Sequence, residues 1–246
     1  MSGLGPFRPA PTLSSRLAPG ARRGSDPIAA RFAGLAASSG VEVDLAPLFG
    51  KPQLFRAHAR IPTNRPFQGP PRAILAGWVG CTRTLADGRR QIQHVLVPGD
   101  LLLPFEDGNG SYLSAITPVT VVQSLRDEAD VWTSPAIQRS LAATNEQLLN
   151  QIVRLGRQHA YERLAHLLLE LRDRMRLAGE GAERSFPMPL TQELLADVLG
   201  LTSVHVNRTL QQMRRDAMVV LSGRIVELPD PAAFARIADY RPRPAP

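Results

Sequence analysis

Apolar positions recur with the period of a helix in residues 190–214, LTQELLADVLGLTSVHVNRTLQQMR. The first apolar set follows Thr191, a potential N-cap, and consists of Leu194, Leu195, Val198 and Leu199. Ala196 is small where two helices must cross closely. Gly200 follows this set and readily adopts the positive φ that a sharp turn needs. The pattern therefore predicts a short helix that ends in a tight turn.

A second helix is predicted directly after this turn, with Thr202 as its N-cap. Val206, Leu210 and Met213 fall at i, i+4 and i+7 and form one inward stripe. The side chains left facing outward are those of Ser203, His205, Asn207, Arg208, Gln211 and Arg214. This layout indicates a helix-turn-helix whose second helix enters the major groove of DNA. The alternative is an amphipathic helical hairpin with a solvated polar face.

Two further apolar segments, 218–221 and 224–228, lie around Ser222-Gly223 and predict a small hairpin. A hairpin at this place would form the wing of a winged helix. Wings commonly touch the DNA backbone, so Arg224 is a phosphate-binding candidate, and its alternative is an exposed turn residue.

Short β-prone segments broken by turns fill the chain from about residue 74 to 125. Segments 81–86 and 89–97 flank Asp87-Gly88, a strong two-residue hairpin signal. Segment 119–125 is predicted to be a buried strand, and 54–61 an irregular edge strand. Several short strands with close turns favour a small β-roll, barrel or sandwich.

A long helix is predicted to begin near Pro135. Leucines repeat every seven residues at 141, 148 and 155. If these are the d positions of a coiled-coil heptad, residues 145 and 152 occupy its a positions. The predicted dimer seam consists of Leu141, Asn145, Leu148, Ile152 and Leu155. A single Asn in such a seam fixes register and oligomer state. The alternative is a helix that packs on its own β domain, without a partner chain.

Gly156 breaks this pattern, and another amphipathic helix follows. Its predicted inward residues are Tyr161, Leu164, Leu168, Leu171 and Met175. Four arginines, Arg163, Arg172, Arg174 and Arg176, are predicted to face largely outward.

Composition narrows the function class. The formal net charge of +7 suits a polyanionic partner. The single cysteine, Cys81, excludes a disulfide within the chain, a cysteine-ligated iron–sulfur cluster and a cysteine-rich zinc site. No apolar run approaches the roughly 20 residues that span a bilayer, so a cytoplasmic protein without a membrane partner is expected.

The first 40 residues are rich in Ala, Gly, Pro, Ser and Arg, with Asp26 as their one acid. A disordered basic extension is predicted here, with a transit peptide as the alternative. The whole chain shows no nucleophile elbow, phosphate-cradling Gly loop, metal-ligand spacing or catalytic triad signature. An enzyme is therefore not expected, and no cofactor is identified. A structural role is favoured for both Cys81 and His94 over a role as a haem ligand.

Three passages resemble the Crp/Fnr family of bacterial transcription regulators. They are GLTSVHVNRTL (200–210), LGRQHAYERLAHLLLELRDRM (155–175) and GWVGCTRTLADGRRQIQHVLVPGD (77–100). They resemble, in this order, the family's recognition element, the helix that begins its DNA-binding domain, and its β-roll. The resemblance implies a homodimer joined along the long helix, which binds a palindromic DNA site and has RNA polymerase as a partner.

By this resemblance, Arg208 matches the family's guanine-reading Arg, and Arg is the side chain that most often contacts guanine. Thr202 matches a phosphate-contacting hydroxyl. Ser203, Val204 and Asn207 occupy base-facing positions. Members often have Glu where Val204 stands, so the half-site is expected to differ from the usual one. Thr209 also stands where an apolar residue is usual.

The effector pocket departs from the family pattern. Cyclic-nucleotide-binding members have Gly-Glu-Leu and then Arg-Ser for the cyclic phosphate, whereas no Arg or Lys occurs here between Gln91 and Leu125. A buried phosphate without a cation would be poorly compensated. The remaining pocket residues are Gly99, Asp100, Leu101 and Ser111. The effector is therefore unidentified and not expected to be cyclic AMP.

The expected fold class is α+β. The predicted division is a disordered basic extension over 1–40, a sensory β-roll over 41–134, a dimerisation helix over 135–156, a Crp-type winged helix-turn-helix domain over 157–235, and a tail over 236–246. The leading hypothesis is a dimeric, sequence-specific transcription regulator. A ligand-independent DNA-binding scaffold and a non-enzymatic protein-binding adaptor remain alternatives.

Overall fold

The computed structural model describes residues 27–31, 51–63, 70–102, 110–124, 132 and 134–241. Its β-rich part precedes one long helix, and a helical domain with a small sheet follows. The strands of the first part are β1 (Gln53–Phe55), β2 (Arg60–Ile61), β3 (Arg72–Ala76), β4 (Val79–Thr84), β5 (Arg90–Leu96), β6 (Leu101–Leu102), β7 (Ser111–Ala115) and β8 (Val119–Gln123). The predicted α+β arrangement is thereby confirmed.

These strands form two antiparallel four-stranded sheets, in the orders β1-β8-β3-β6 and β2-β7-β4-β5. Alternating apolar side chains from both sheets meet in one buried cluster, among them Ile74, Val79, Leu96 and Leu113. The β4–β5 hairpin turns at Asp87-Gly88, with Gly88 at φ 84°. The single edge strand predicted over 54–61 is instead two strands, because His58 adopts φ 66° between them.

The long helix α1 (Pro135–Arg157) begins at Ser134, whose hydroxyl accepts a hydrogen bond from the Ile137 amide at 3.4 Å. One face packs on its own chain through an unusually polar row, Ser140, Thr144, Gln147, Gln151 and Arg154. The opposite face is apolar and exposed, and consists of Leu148, Leu149, Ile152 and Val153. Of the predicted seam, Leu148, Asn145 and Ile152 are exposed, whereas Leu141 and Leu155 are half-buried.

The C-terminal part contains α2 (Ala160–Leu177), β9 (Ser185–Pro187), α3 (Gln192–Leu199), α4 (Ser203–Arg215), β10 (Val220–Ser222), β11 (Ile225–Glu227) and α5 (Pro231–Ala238). The predicted wing hairpin is β10–β11, and β9 adds a third strand in the order β10-β11-β9. The three-residue β9 ends at a proline and has too short an alternation to be read from the sequence. No helix within these described ranges is long and apolar enough to cross a membrane.

Three predictions, one about exposure and two about the ends of the folded part, are wrong. Arg174 is 4% exposed, because carboxylates from two elements surround it. The tail predicted from residue 236 begins later, because α5 reaches Ala238 and the Tyr240 hydroxyl donates to the Asp173 carboxylate at 2.9 Å. Part of the extension predicted to be disordered, residues 27–31, is helical and largely buried; residues 1–26 and 32–40 lie outside the described residues.

Candidate nucleic-acid interface

Helices α3 and α4 are joined by a turn whose geometry follows from its sequence. The Thr191 hydroxyl accepts a hydrogen bond from the Leu194 amide at 3.2 Å and caps α3. Gly200 ends this helix in the left-handed conformation, with φ 63° and ψ 37°. The Thr202 hydroxyl then accepts from the His205 amide at 3.2 Å and caps α4. Both caps and the turn agree with the sequence prediction.

The inward face of α4 fixes its orientation on the domain. Val206, Leu210 and Met213 are at most 4% exposed and belong to the core that also contains Leu195 and Leu199. Thr209 is buried too, and its hydroxyl donates to the His205 carbonyl at 2.9 Å. This internal hydrogen bond satisfies the hydroxyl at a position where an apolar residue is usual.

The outward face of α4 carries the residues that the sequence predicts to contact DNA there. Those exposed on it, with the cap, are Thr202, Ser203, Val204, His205, Asn207, Arg208 and Gln211. Val204 is 71% exposed, so its methyl groups are accessible from solvent. The Gln211 amide donates to Asn207 Oδ1 at 3.4 Å, one turn apart. The first two turns of α4 therefore present the methyl groups of Val204, the amide of Asn207 and the guanidinium of Arg208 on one exposed surface.

The wing places one further cation on the surface. Arg224 lies exposed beside Gly223, which forms the turn at φ 60°. The Arg224 carbonyl accepts from the Met188 amide at 2.7 Å, so the backbone here is held by the residue that follows β9. The Arg224 side chain, which the sequence predicts to contact a phosphate, remains exposed.

Helix α3 is anchored to the β-roll and to α1 by hydrogen bonds and an ion pair at its C-terminal end. Gln91 of β5 and Gln151 of α1 donate to the same Val198 carbonyl, at 3.1 and 2.7 Å. Arg90 forms an ion pair with Asp197 at 2.8 Å. These contacts are made by α3, so the outward face of α4 stays exposed while the domain is anchored.

The four residues of the predicted effector pocket are all buried. Asp100 accepts a hydrogen bond from the Val97 amide at 2.8 Å and forms ion pairs with Arg31, at 3.1 Å, and with Arg174. The Ser111 hydroxyl donates to Gln93 Oε1 at 3.0 Å. Burial raises the pKa of the neighbouring Cys81 thiol to about 11, so it is protonated at neutral pH.

A buried charge cluster joins the three parts of the chain, and sequence reasoning missed it. Arg154 of α1 contacts Glu170 of α2 at 2.5 Å and His166 Nδ1 at 3.0 Å. Arg174, one turn beyond Glu170, contacts that carboxylate at 3.3 Å and Asp100 of the β-roll. Burial opposes ionisation of both acids, but the surrounding guanidinium groups outweigh it and lower the pKa of Asp100 and of Glu170.

Two histidines, the buried His166 and the half-buried His94, flank this cluster in their neutral form. Burial, and then the nearby Arg174, lowers the pKa of His94 to about 4, and His94 Nε2 lies 2.7 Å from Gln147 Oε1. Burial, and then Arg154, lowers the pKa of His166 to about 4. No sequence spacing marks these partners, because they come from β5, α1 and α2.

Comparison with known proteins agrees with this geometry. Residues 162–237 match the Crp-like helix-turn-helix domain. The nitrogen fixation regulation protein FixK of Bradyrhizobium diazoefficiens is 33% identical over 172 residues, which are 67% of this chain and 72% of FixK. The transcriptional activatory protein AadR of Rhodopseudomonas palustris is 33% identical over 174 residues, 68% of this chain and 72% of AadR.

The solved structure of FixK2 from Bradyrhizobium japonicum has the same fold, with a TM-score of 0.63 at 25% sequence identity. The alignment covers 76% of this chain and 96% of that one. Members of the family that these relatives represent are DNA-binding transcription regulators and not enzymes. The chain belongs to the Crp/Fnr family of transcription regulators.

Proposed function

We propose that this regulator acts as a cytoplasmic homodimer on a palindromic DNA site, which its two α4 helices read. One observation carries the proposal: α4 keeps its polar face and capped N-terminus exposed while α3 is anchored to the rest of the chain. A recognition helix enters the major groove with this end first.

Sequence reading is assigned to the first two turns of α4. The Arg208 guanidinium suits guanine O6 and N7, and Ser203 and Asn207 offer hydrogen-bonding groups beside it. Exposed Val204 suits a thymine methyl, whereas a Glu at this position would accept from a cytosine amine. The half-site therefore differs from the family's common one at the base pair under Val204.

Phosphate contacts are assigned to Thr202, His205, Gln211 and Arg224. The Thr202 hydroxyl oxygen accepts the capping hydrogen bond, so its proton remains able to donate to a phosphate. The net charge of +7 supports a strong sequence-independent attraction. Affinity for any DNA should fall steeply with salt, because binding releases counterions from the phosphates.

We propose that the exposed apolar face of α1 binds a second copy of the chain. Leu148 is 38% exposed and Ile152 67%, and Leu149 and Val153 extend the same face. Regulators of this family are typically dimeric. Pairing of two α1 helices would bury these side chains, with exposed Asn145 near the start of the seam.

RNA polymerase is the proposed protein partner, which the transcriptional activatory role of the relative AadR supports. For the sensory domain we propose that cyclic AMP is not the effector. No Arg or Lys stands between Gln91 and Leu125 to meet a cyclic phosphate, and the guanidinium groups of Arg31 and Arg174 are already paired with Asp100.

In-vitro selection of DNA bound by the full-length chain tests the proposal. The expected product is a two-fold-symmetric sequence, which Arg208→Ala binds about 5- to 150-fold more weakly, the equivalent of about 1–3 kcal/mol, with one base position relaxed. Arg89→Ala is the matched control, because Arg89 is 77% exposed on the β4–β5 hairpin. Equal enrichment of random and selected DNA by wild type and Arg208→Ala would refute sequence-specific binding.

A further inference from the structure

Residues 27–31 form a short helical segment that lies on the β-roll at the predicted effector pocket. Ile28 is 1% exposed. It packs in a cluster with Leu101 of β6, one of the four predicted pocket residues, and with Ala143 of α1. The segment thus contributes a core side chain between the β-roll and the long helix.

The turn at Gly99 is shaped to receive this segment. Gly99 has φ 87°, and a Cβ added there would lie 2.6 Å from Arg31 Cβ and 2.8 Å from the Pro27 carbonyl oxygen. Any larger residue would push the segment away. A second predicted pocket residue is therefore in close contact with residues 27–31.

Asp100 is the third pocket residue that the segment engages. Its carboxylate lies 3.1 Å from the Arg31 guanidinium, and both side chains are at most 4% exposed. The same carboxylate pairs with Arg174 of α2, the first helix of the DNA-binding part. One buried acid therefore holds the N-terminal segment and the DNA-binding domain at once.

We propose that residues 27–31 act as a tethered internal ligand of the β-roll, which takes the place of a diffusible effector and stabilises the DNA-competent orientation of α2. The proposal rests on the proposed DNA-binding function. The exposed α4 face occurs together with the docked segment in one arrangement. A ligand that favours one arrangement shifts the population towards it, and a tethered segment obeys the same rule.

The charges of the cluster explain why Arg31 matters to α2. Asp100 and Glu170 are shared among three guanidinium groups, those of Arg31, Arg154 and Arg174. Loss of Arg31 leaves Asp100 with Arg174 as its remaining ion-pair partner. It therefore removes part of the positive charge that compensates a buried carboxylate. A change in the position of α2 also moves α3 and α4, because the three helices share one apolar core.

The first test compares operator affinity in full-length variants by fluorescence anisotropy on the selected DNA. Arg31→Gln should bind about tenfold more weakly, within the range usual for coupled sites. Ile28→Ala, which keeps the charge but removes the anchor, should weaken binding in the same direction. Arg89→Gln removes an exposed arginine and should bind like wild type. Wild-type affinity in both Arg31→Gln and Ile28→Ala would overturn the proposal.

The second test needs no substitution. Hydrogen–deuterium exchange of the wild-type chain is measured with and without selected DNA. Because coupling is reciprocal, DNA should slow exchange of the amides in residues 28–31 and of the Val97 amide that bonds Asp100. Unchanged exchange at both places would overturn the tethered ligand. Failure of the wild type to bind any DNA would instead overturn the proposed function.

Discussion

Arg174 and Asp100, 74 residues apart in the chain, form an ion pair in which the side chains are only 5% and 4% exposed. The Arg174 guanidinium also donates to the Val95 carbonyl of β5 at 2.7 Å. It thereby ties the DNA-binding domain directly to the β-roll, in addition to the covalent route through α1.

Replacement of Arg174 by methionine should lower the free energy of unfolding by about 3–5 kcal/mol. Methionine fills part of the volume, but Asp100 and Glu170 stay buried with one fewer cation each. Urea unfolding followed by circular dichroism measures the loss. Arg176→Met is the control, since Arg176 is exposed on the same helix. Equal stability of the two variants would show that the buried pair does not hold the domains together.

The burial of Arg174 shows where sequence reasoning stops. The apolar spacing of α2 correctly places Leu164, Leu168 and Leu171 inward, because burial of an amphipathic helix follows from its own period. Arg174 is polar and was predicted outside. Its burial depends on Asp100 and on the Val95 carbonyl, neither of which is near it in sequence. Pairing between distant elements leaves no local pattern.

Stability should fall as the pH drops from about 6.5 to about 4, because His94 and His166 are neutral in the folded chain. The pKa of each is about 4 in the folded chain, against about 6.5 in the unfolded chain. The unfolded state therefore binds more protons in this window, and protonation favours unfolding. The slope approaches about 1.4 kcal/mol per pH unit for each histidine.

Urea unfolding at pH 7.5, 6, 5 and 4.5 measures this slope. His94→Gln removes one titrating group and should make the dependence shallower, whereas His205→Gln, on the exposed face of α4, should leave it unchanged. Asp100 and Glu170 act in a lower window. Their folded pKa values are lowered, so the stability that they contribute is present above the unfolded pKa and is lost as the pH falls below about 4. A flat profile between pH 6.5 and 4.5 would show that His94 and His166 are not held neutral by the fold.

Val204→Glu should change the base preference of the operator without changing the fold. Val204 is 71% exposed, so a longer acidic side chain meets no packing constraint. Its carboxylate can accept from a cytosine amine, whereas valine offers only methyl groups. Selection with this variant should enrich a cytosine at one position of each half-site. Thr191→Ser is a control, because the hydroxyl that caps α3 is kept. An unchanged selected sequence would mean that Val204 does not face a base.

The helix-turn-helix could be predicted almost completely because its determinants are local. Caps at Thr191 and Thr202, the turn at Gly200 and the inward stripe of α4 all lie within one short stretch. The burial of residues 27–31 could not be predicted, because an Ala- and Pro-rich sequence near the N-terminus has no periodic pattern of apolar residues. Its order comes from the complementary surface at Gly99 and Asp100.

Leu148→Glu should convert the proposed dimer into a monomer in sedimentation equilibrium and abolish binding to the full palindrome. The substitution places a charge on each side of a seam in which water is excluded, and two like charges there repel. Leu85→Glu is the matched control, since Leu85 is 41% and Leu148 38% exposed in the single chain, but Leu85 lies on the β4–β5 hairpin. The control should remain dimeric. Because neither leucine is needed to fill its own chain's core, both variants should keep the circular dichroism of the wild type. A dimer that persists in Leu148→Glu would place the contact between copies on another surface, and Ile152→Glu, at 67% exposure on the same face, would then leave it intact as well.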